Sequence, residues 1–483
     1  MRNRAILFVV FSTLLLLFFP VKQSVEVPGY YLKVFVQTAK SMVDSDSSLK
    51  VLDVRTQSEY DSGHIRNAHL IPENELVGRI GELDKNKPVL VYCQIGESDS
   101  VCQTLISYGF QLVYAMIGGM TAWIAMGYPV YIHYFSIQTA INNATAGAII
   151  RVSAGVYLET IAINKPITLE GENNTATVIN NNYTHWSTIT INANNTCITD
   201  FAIEDGFNAI LCPKTTLTNV TIQNNIIRDN KIAGIALSGF GHTVRNNTIT
   251  NNGLGIKSES LENSLVTKNI LTNNSQTAIE LRNSINNRVD GNFLTSNYVG
   301  IRFYAQSDNN KITRNNIANS VIGITLHDSS WNILTENSIK NSMGLGISFL
   351  KSNNNSVYRN SMINNSLQLE NTNSTNNWDK GFQEGNYWSD YNGTDLDGDG
   401  IGDTCTPWQK VDNYPLLRPY LNGDFNHDGI VYWLDVNLVE MAWHSRLGGA
   451  NYNPHADFNM DSKIDIKDAA IIGANWLRGA PQT

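Results

Sequence analysis

The chain has 483 residues, of which 42% are hydrophobic and only 16% charged, so it is too long for one ordinary domain and too polar for a polytopic membrane protein. Asparagine takes the place of charge, with 61 residues in all and 42 between Asn180 and Asn377. The net charge of −9 excludes a generally basic nucleic-acid binder, and 13 acidic against 6 basic residues from Asp395 onward concentrate that charge in the last fifth.

Residues 1–24 open the chain with Arg2 and Arg4, followed by 15 apolar residues from Ala5 to Phe19 and then Pro20. That is the anatomy of a secretory signal. The run is short for a spanning helix, which needs roughly 17–25 residues. An uncleaved N-terminal anchor fits the same pattern, and is the expected membrane attachment if there is one. Either way the remainder is expected outside the cytoplasm, secreted or at the cell surface. The five cysteines, Cys93, Cys102, Cys197, Cys212 and Cys405, are too few and scattered for a disulfide scaffold.

Residues 30–135 read as an α/β domain. Val51–Val54, Pro88–Tyr92 and Leu112–Tyr114 are short apolar strands separated by helical patterns, which implies a parallel sheet. Cys93 follows the second strand and precedes a polar loop and a helix from about Ser100. Ligands of parallel sheets sit beyond the carboxyl ends of strands. Main-chain N–H groups at a helix start favour an anion and a thiolate.

The segment resembles a rhodanese domain. The resemblance rests on Asp53-Val54-Arg55 with Glu59-Tyr60, Gly63-His64-Ile65, Tyr92-Cys93 with Gly96, Gly118-Gly119, Ala122-Trp123 and Gly127-Tyr128-Pro129. It implies sulfane-sulfur transfer through a persulfide on Cys93, with no redox cofactor. The family's loop cation, five residues after the cysteine, is replaced by Ser98, and Glu97 and Asp99 add negative charge. Weak use of an anionic donor such as thiosulfate is therefore expected, because like charges a few ångströms apart cost on the order of 1–4 kcal/mol.

Residues 136–380 repeat. Ile222, Val244, Val266, Val289, Ile312, Leu334 and Val357 are spaced by 22, 22, 23, 23, 22 and 23 residues. Each is followed three residues later by Asn: Asn225, Asn247, Asn269, Asn292, Asn315, Asn337 and Asn360. Such a period with short β-branched segments predicts a right-handed parallel β-helix with rungs about 4.8 Å apart. The Asn is expected at a corner, in left-handed geometry and hydrogen-bonded between coils. Ser136–Thr145 reads as an amphipathic cap, and Ile149–Gly171 as two strands.

This region, with the stretch Gly385–Tyr391 and Asp412–Leu416, resembles pectate-lyase-like β-helix proteins. The nearest likeness is to the branch of a periplasmic copper-processing protein. The repeat register predicts two outward columns. One carries Lys257, Glu280 and Arg302, the other Glu259, Arg282, Tyr304 and His327. They read either as a salt ladder or as a strip for sugar or anion. Asp200, Glu204 and Asp205 lie near the first coils, with no carboxylate pair evident in the spacing.

Residues 381–420 read as the closing segment of the β-helix. They hold an acidic loop of Asp395, Asp397, Asp399, the Ile401 carbonyl and Asp403, of the type that binds Ca²⁺. In residues 421–483 two loops 33 residues apart place oxygen ligands as half EF-hands do. The first uses Asp424, Asn426, Asp428, the Ile430 carbonyl and Asp435. The second uses Asp457, Asn459, Asp461, the Lys463 carbonyl and Asp468. Apolar faces follow at Val436, Val439 and Trp443, then at Ala469, Ile472 and Trp476. The duplicated design resembles a type I dockerin, which implies Ca²⁺ and a cohesin partner.

The leading expectation is an exported modular protein. A β-helix scaffold or glycan-binding rod is joined to a cohesin-docking segment and a rhodanese-like thiol domain. Two alternatives are a sulfurtransferase acting through Cys93 and a polysaccharide lyase or hydrolase built on the β-helix.

Overall fold

The computed structural model describes residues 30–96, 98–379, 384–424, 427–432, 435–436, 439–440, 442–446 and 463–475. The N-terminal signal, Glu97, Asn426, Trp433, Leu434, Trp476 and the acids Asp457, Asn459 and Asp461 lie outside these residues. Two compact units form: Met1–Gln57 with Ala68–Tyr128, and Ser58–Asn67 with Pro129–Thr483.

The first unit is built on a five-stranded sheet of β1 (Leu32–Val34), β2 (Lys50–Asp53), β3 (His69–Leu70), β4 (Val89–Tyr92) and β5 (Val113–Met116). Its order is β1-β5-β4-β2-β3, and every pairing is parallel. β4 is buried along its whole length, as a central parallel strand covered on both faces must be. The three expected strands are present. β1 and β3 sit at the two edges, and at three and two residues they are too short to carry a periodic signal. α1 (Val36–Ser45), α2 (Gln57–Ser62), α3 (Leu76–Arg79), α4 (Asp99–Ser107) and α5 (Gly119–Ala125) complete the order.

In the second unit α6 (Ile137–Asn143) is capped by Ser136, whose hydroxyl accepts from the Thr139 N–H at 3.2 Å. Ile137 and Ile141 bury themselves over the first coil. Three parallel sheets of 11, 10 and 10 strands follow, each coil adding one strand to each sheet. Ile222, Val244, Val266, Val289, Ile312, Leu334 and Val357 stack in register. All are at most 1% exposed, and each contributes roughly 1.5–3 kcal/mol of burial. Ile149–Gly171 differs from the expectation. It forms four strands, Ile149–Val152, Gly155–Leu158, Ile161–Ile163 and Thr168–Gly171, because the coil turns at each bend where two strands had been read as straight.

The corner asparagines form a hydrogen-bonded ladder. Along Asn225, Asn247, Asn269, Asn292, Asn315, Asn337, Asn360 and Asn386, each amide Nδ2 donates to the Oδ1 of the next at 2.9–3.1 Å. The left-handed residue is not the ladder asparagine. It is the residue before it: Asn224, Asn246, Lys268, Gly291, Arg314, Glu336 and Arg359. The preceding residue turns the chain outward, which leaves the asparagine free to aim its amide along the stack. Two further ladders, Asn230–Asn252–Asn274–Asn297 and Asn287–Asn310–Asn332–Asn355–Asn376, do the same elsewhere.

Asn292 accepts from both the backbone N–H and the Nδ2 of Asn269, each at 3.0 Å. Asn292→Leu would orphan two buried donors, at about 1–3 kcal/mol each. Denaturant unfolding should show a loss of about 2–6 kcal/mol by that arithmetic, whereas the exposed Asn251→Ala should change stability by less than about 0.5 kcal/mol.

The open end is closed by tryptophans. Tyr387–Trp388 adds to the 11-stranded sheet. Trp388 stacks on Trp408 with ring centroids 3.7 Å apart, and Trp378 packs beside it. The buried Asp412 carboxylate ends the ladder, accepting from the Asn386 N–H at 2.9 Å and the Trp388 Nε1–H at 2.8 Å. Beyond it, Val431, Val439, Ala442, Ile464 and Ile472 make a small core of their own. α7 (Ile466–Ala474) starts with a reciprocal cap between Asp465 and Asp468. Of the expected apolar faces, Val439 and Ile472 are buried, while Val436 and Trp443 remain 40% and 36% exposed.

Candidate active site and cation loops

Cys93 directly follows β4, at the carboxyl edge of the parallel sheet. Its thiol is partly exposed and donates to the Ile95 carbonyl at 3.3 Å. Three sets of contacts fix the loop around it. Beneath it, Arg55 forms a bidentate pair with the fully buried Asp53, with Nη2 2.6 Å from Oδ2 and Nε 3.0 Å from Oδ1. Tyr92 donates to the same carboxylate at 2.5 Å, and Arg55 Nη1 donates to the Gln94 side chain at 2.9 Å. A charge pair inside the domain thus tethers the first residue of the loop.

The start of α5 supplies the second clamp. The Met120 N–H reaches the Cys93 carbonyl at 2.8 Å, and Thr121 donates to the Gln94 carbonyl through both N–H and hydroxyl at 3.0 and 2.9 Å. Such approach requires glycine at 119. Its φ is +57°, and an added Cβ would lie 2.5 Å from the Cys93 carbonyl oxygen. Gly119→Ala should therefore displace the cysteine loop. We expect a drop of at least tenfold in alkylation rate of the Cys93 thiol or in its sulfur loading, with the near-complete retention of far-ultraviolet dichroism that a local change implies.

Third, Lys33 of β1 pairs with Asp99 at 3.1 Å. The Tyr31 hydroxyl, and then Lys33, hold the Asp99 carboxyl below its ordinary value. The sequence reading counted Asp99 as uncompensated negative charge, and Lys33, 66 residues away, offsets part of it. Ser98 stands where a cation was expected. It is 5% exposed, and its buried hydroxyl makes no hydrogen bond. Cys102 lies in the core of the unit, where burial pushes its thiol up to about 12. It is a packed apolar residue, not a nucleophile.

On the β-helix the expected columns are in register. Lys257, Glu280 and Arg302 pair in sequence, as do Glu259, Arg282, Tyr304 and His327. Arg282 contacts Glu259 at 3.2 Å and Arg302 contacts Glu280 at 3.5 Å, while Lys257 forms no ion pair with Glu280. Asp200, Glu204 and Asp205 point to separate partners. Arg66 lies 3.7 Å from Asp200, Arg228 lies 2.6 Å from Glu204, and Tyr183 donates to Asp205 at 3.0 Å.

Three carboxylates of the closing segment converge. Asp395, Asp397 and Asp403 bring oxygens within 4.8 Å of one another. Asp399 stands outside that group and accepts from the Ile401 N–H at 2.8 Å. In the first C-terminal loop Asp424 is 4% and Asp435 0% exposed. Asp424 Oδ2 accepts from the Gly429 N–H at 2.8 Å, while its buried Oδ1 has no hydrogen-bond partner. Gly429 takes a φ of +86° at the sharp turn. Asp428 Oδ1 accepts from the Ile430 N–H at 3.0 Å. An orphaned carboxylate oxygen in an all-oxygen loop fits a hard cation. Of the second loop, the described Asp468 is buried and caps α7, and Lys463 is exposed.

Residues 35–126 match the family model of the rhodanese-like domain. The chain is 45% identical over 76 residues to the thiosulfate sulfurtransferase GlpE of Coxiella burnetii, covering 16% of this chain and 71% of that protein. It is 35% identical over 92 residues to the putative sulfur carrier protein YrkF of Bacillus subtilis, covering 19% and 50%. A rhodanese-related protein of Thermoplasma volcanium is 30% identical, covering 21% of this chain and 100% of that one, with a TM-score of 0.20. Residues 141–322 and 305–393 match the family described as periplasmic copper-binding protein (NosD). No described helix is long and apolar enough to cross a membrane.

Copper takes imidazole and sulfur donors. Among the described residues, the group of three or more His, Cys, Asp or Glu donors that converges is the all-carboxylate one at Asp395, Asp397 and Asp403. The donor set does not fit copper. Through its first unit the chain belongs to the rhodanese family, and through its second to the NosD family of parallel β-solenoids.

Proposed function

We propose that the chain is an exported sulfur carrier in which Cys93 accepts sulfane sulfur as a persulfide and passes it on. The observation that carries this reading is the contrast between the two thiols of the first unit. Cys93 is accessible at the sheet edge with its loop main chain clamped, and Cys102 is buried and protonated. The Cys93 thiolate attacks the outer sulfur of a donor. A Cys93 S–S bond forms, the donor S–S bond breaks, and the leaving group departs with the electron pair, as sulfite from thiosulfate or as a thiolate from an organic persulfide. An acceptor nucleophile then attacks the terminal sulfur and releases the Cys93 thiolate. With Ser98 in place of a cation, a persulfide donor suits this loop better than dianionic thiosulfate. Mass spectrometry of the full chain after exposure to an organic persulfide tests this. One added sulfur on Cys93, removable by cyanide, is expected. Sulfur on another residue, or none, would overturn it.

The C-terminal segment completes the reading. The orphaned Asp424 oxygen, the buried Asp435 and the turn at Gly429 support Ca²⁺ held by Asp424, Asn426, Asp428 and Asp435, with the Ile430 carbonyl. The second loop would hold Ca²⁺ through Asp457, Asn459, Asp461, the Lys463 carbonyl and Asp468. A Ca²⁺-ordered segment of this design would dock to a cohesin module on a scaffold or surface protein. That places the thiol outside the cytoplasm, in keeping with the periplasmic description of the NosD family.

A further inference from the structure

Four successive rungs of one β-helix sheet, Val299–Tyr304, Ile322–His327, Leu345–Leu350 and Leu367–Thr372, bound a trough of about 430 Å³ on their outward face. Such a volume lies in the range of small-ligand sites. One column of its floor is Arg302, Thr325, Ser348 and Glu370, in register. The parallel column begins with Tyr304 and His327. The expected strip ended at His327. The trough continues two rungs farther, and only half of the strip lines it.

We infer that this trough binds a linear, uronic-acid-bearing oligosaccharide along the axis of the stack. Its parts match that chemistry. Tyr304 and His327 offer ring faces to the C–H face of a sugar. Thr325 and Ser348 offer hydroxyls at successive rungs about 4.8 Å apart. Glu370, steadied by the Ser348 hydroxyl at 2.9 Å, is an acceptor for sugar hydroxyls at one end. Arg302 stands at the other end, 38% exposed and only loosely paired with Glu280 at 3.5 Å. A guanidinium held from below but open above can take a carboxylate through two N–H groups. Glu280 is 6% exposed and also receives the Tyr304 hydroxyl at 3.4 Å, so it supports both binding groups without facing the ligand itself. The floor repeats rung by rung, which suits a chain of repeating units better than a compact anion.

Calorimetric titration of the full chain with size-defined oligogalacturonides, and with neutral xylo-oligosaccharides of equal length, tests the proposal. The acidic oligomers should bind at least tenfold more tightly than the neutral ones. Arg302→Gln should remove that preference, with a loss of roughly tenfold or more, as expected for one charge-assisted contact. Tyr304→Ala should weaken both series. Both side chains point outward, so folding should be retained. Thr325→Trp, which fills the trough while removing no charged contact, should block binding in any case. No binding of the acidic oligomers, equal binding of the neutral ones, or binding untouched by Thr325→Trp would overturn the proposal.

Discussion

Cys93→Ser should reduce sulfur transfer from an organic persulfide to cyanide to the uncatalysed background, while Cys102→Ser retains it per folded molecule. The asymmetry follows from placement. Serine at 93 keeps the loop but offers no polarisable nucleophile, so no persulfide forms. Serine at 102 puts a hydroxyl among Val101, Leu105, Val113 and their neighbours, at a cost of about 1–3 kcal/mol in stability, with no change at the sheet edge. Loss of activity in Cys102→Ser as complete as in Cys93→Ser would defeat this assignment. Donor choice should move separately. Ser98→Arg returns a cation to the loop beside α4 and should raise turnover with thiosulfate by tenfold or more, since about 1.4 kcal/mol suffices for that factor. Turnover with an uncharged persulfide should change little. An unchanged thiosulfate rate would remove the electrostatic account and leave the role of Cys93 intact.

Removal of Ca²⁺ should have the second large effect, confined to the C-terminal segment. Asp424 is 4% and Asp435 0% exposed. Without a cation, burial pushes the Asp424 carboxyl up to about 6, a sign that its charge is poorly compensated there. Few buried apolar residues, Val431, Val439, Ala442, Ile464 and Ile472, stand against that repulsion, and so small a core is marginal alone. A cation bound only by the folded segment adds about 4 kcal/mol at a thousand times its dissociation constant. Calorimetry of the full chain should resolve a transition that chelator lowers, and a β-helix transition that it does not, because the coils bury a continuous apolar core without an ion. Asp424→Ala should weaken binding at one loop and, through loss of order, the capture of a cohesin. A chelated protein with unchanged melting and unchanged cohesin capture would sink this reading.

The comparison of expectation with structure turns on the range of each interaction. The β-helix was legible because its signal is local and repeated. Each coil must place an apolar residue inward and an asparagine at the same bend, and the 22–23-residue spacing records both. The outward columns of Lys257, Glu280 and Arg302 and of Arg282, Tyr304 and His327 followed from that register alone. Cys93 was legible because a thiol between an apolar strand and a helix is a short-range pattern. The inference that asparagine itself takes the left-handed bend failed at every anchor. Propensity names the residue types a corner tolerates, but the ladder geometry decides which of two adjacent residues turns and which bonds along the stack.

By itself, then, the sequence determined the repeat, the inward apolar column, the position of the thiol and the ligand spacing of the C-terminal loops, because each depends on neighbours a few residues away or on strict periodicity. Only the tertiary structure decided that Lys33 neutralises part of Asp99, that Gly119 closes on the Cys93 carbonyl, and that Asp399 stands apart from its three acidic neighbours. It also decided that the face holding Arg302 and Tyr304 deepens into a trough ending at Glu370. These depend on distances between residues far apart in the chain, or on which way a loop carbonyl points, and neither quantity leaves a period or a spacing to be read.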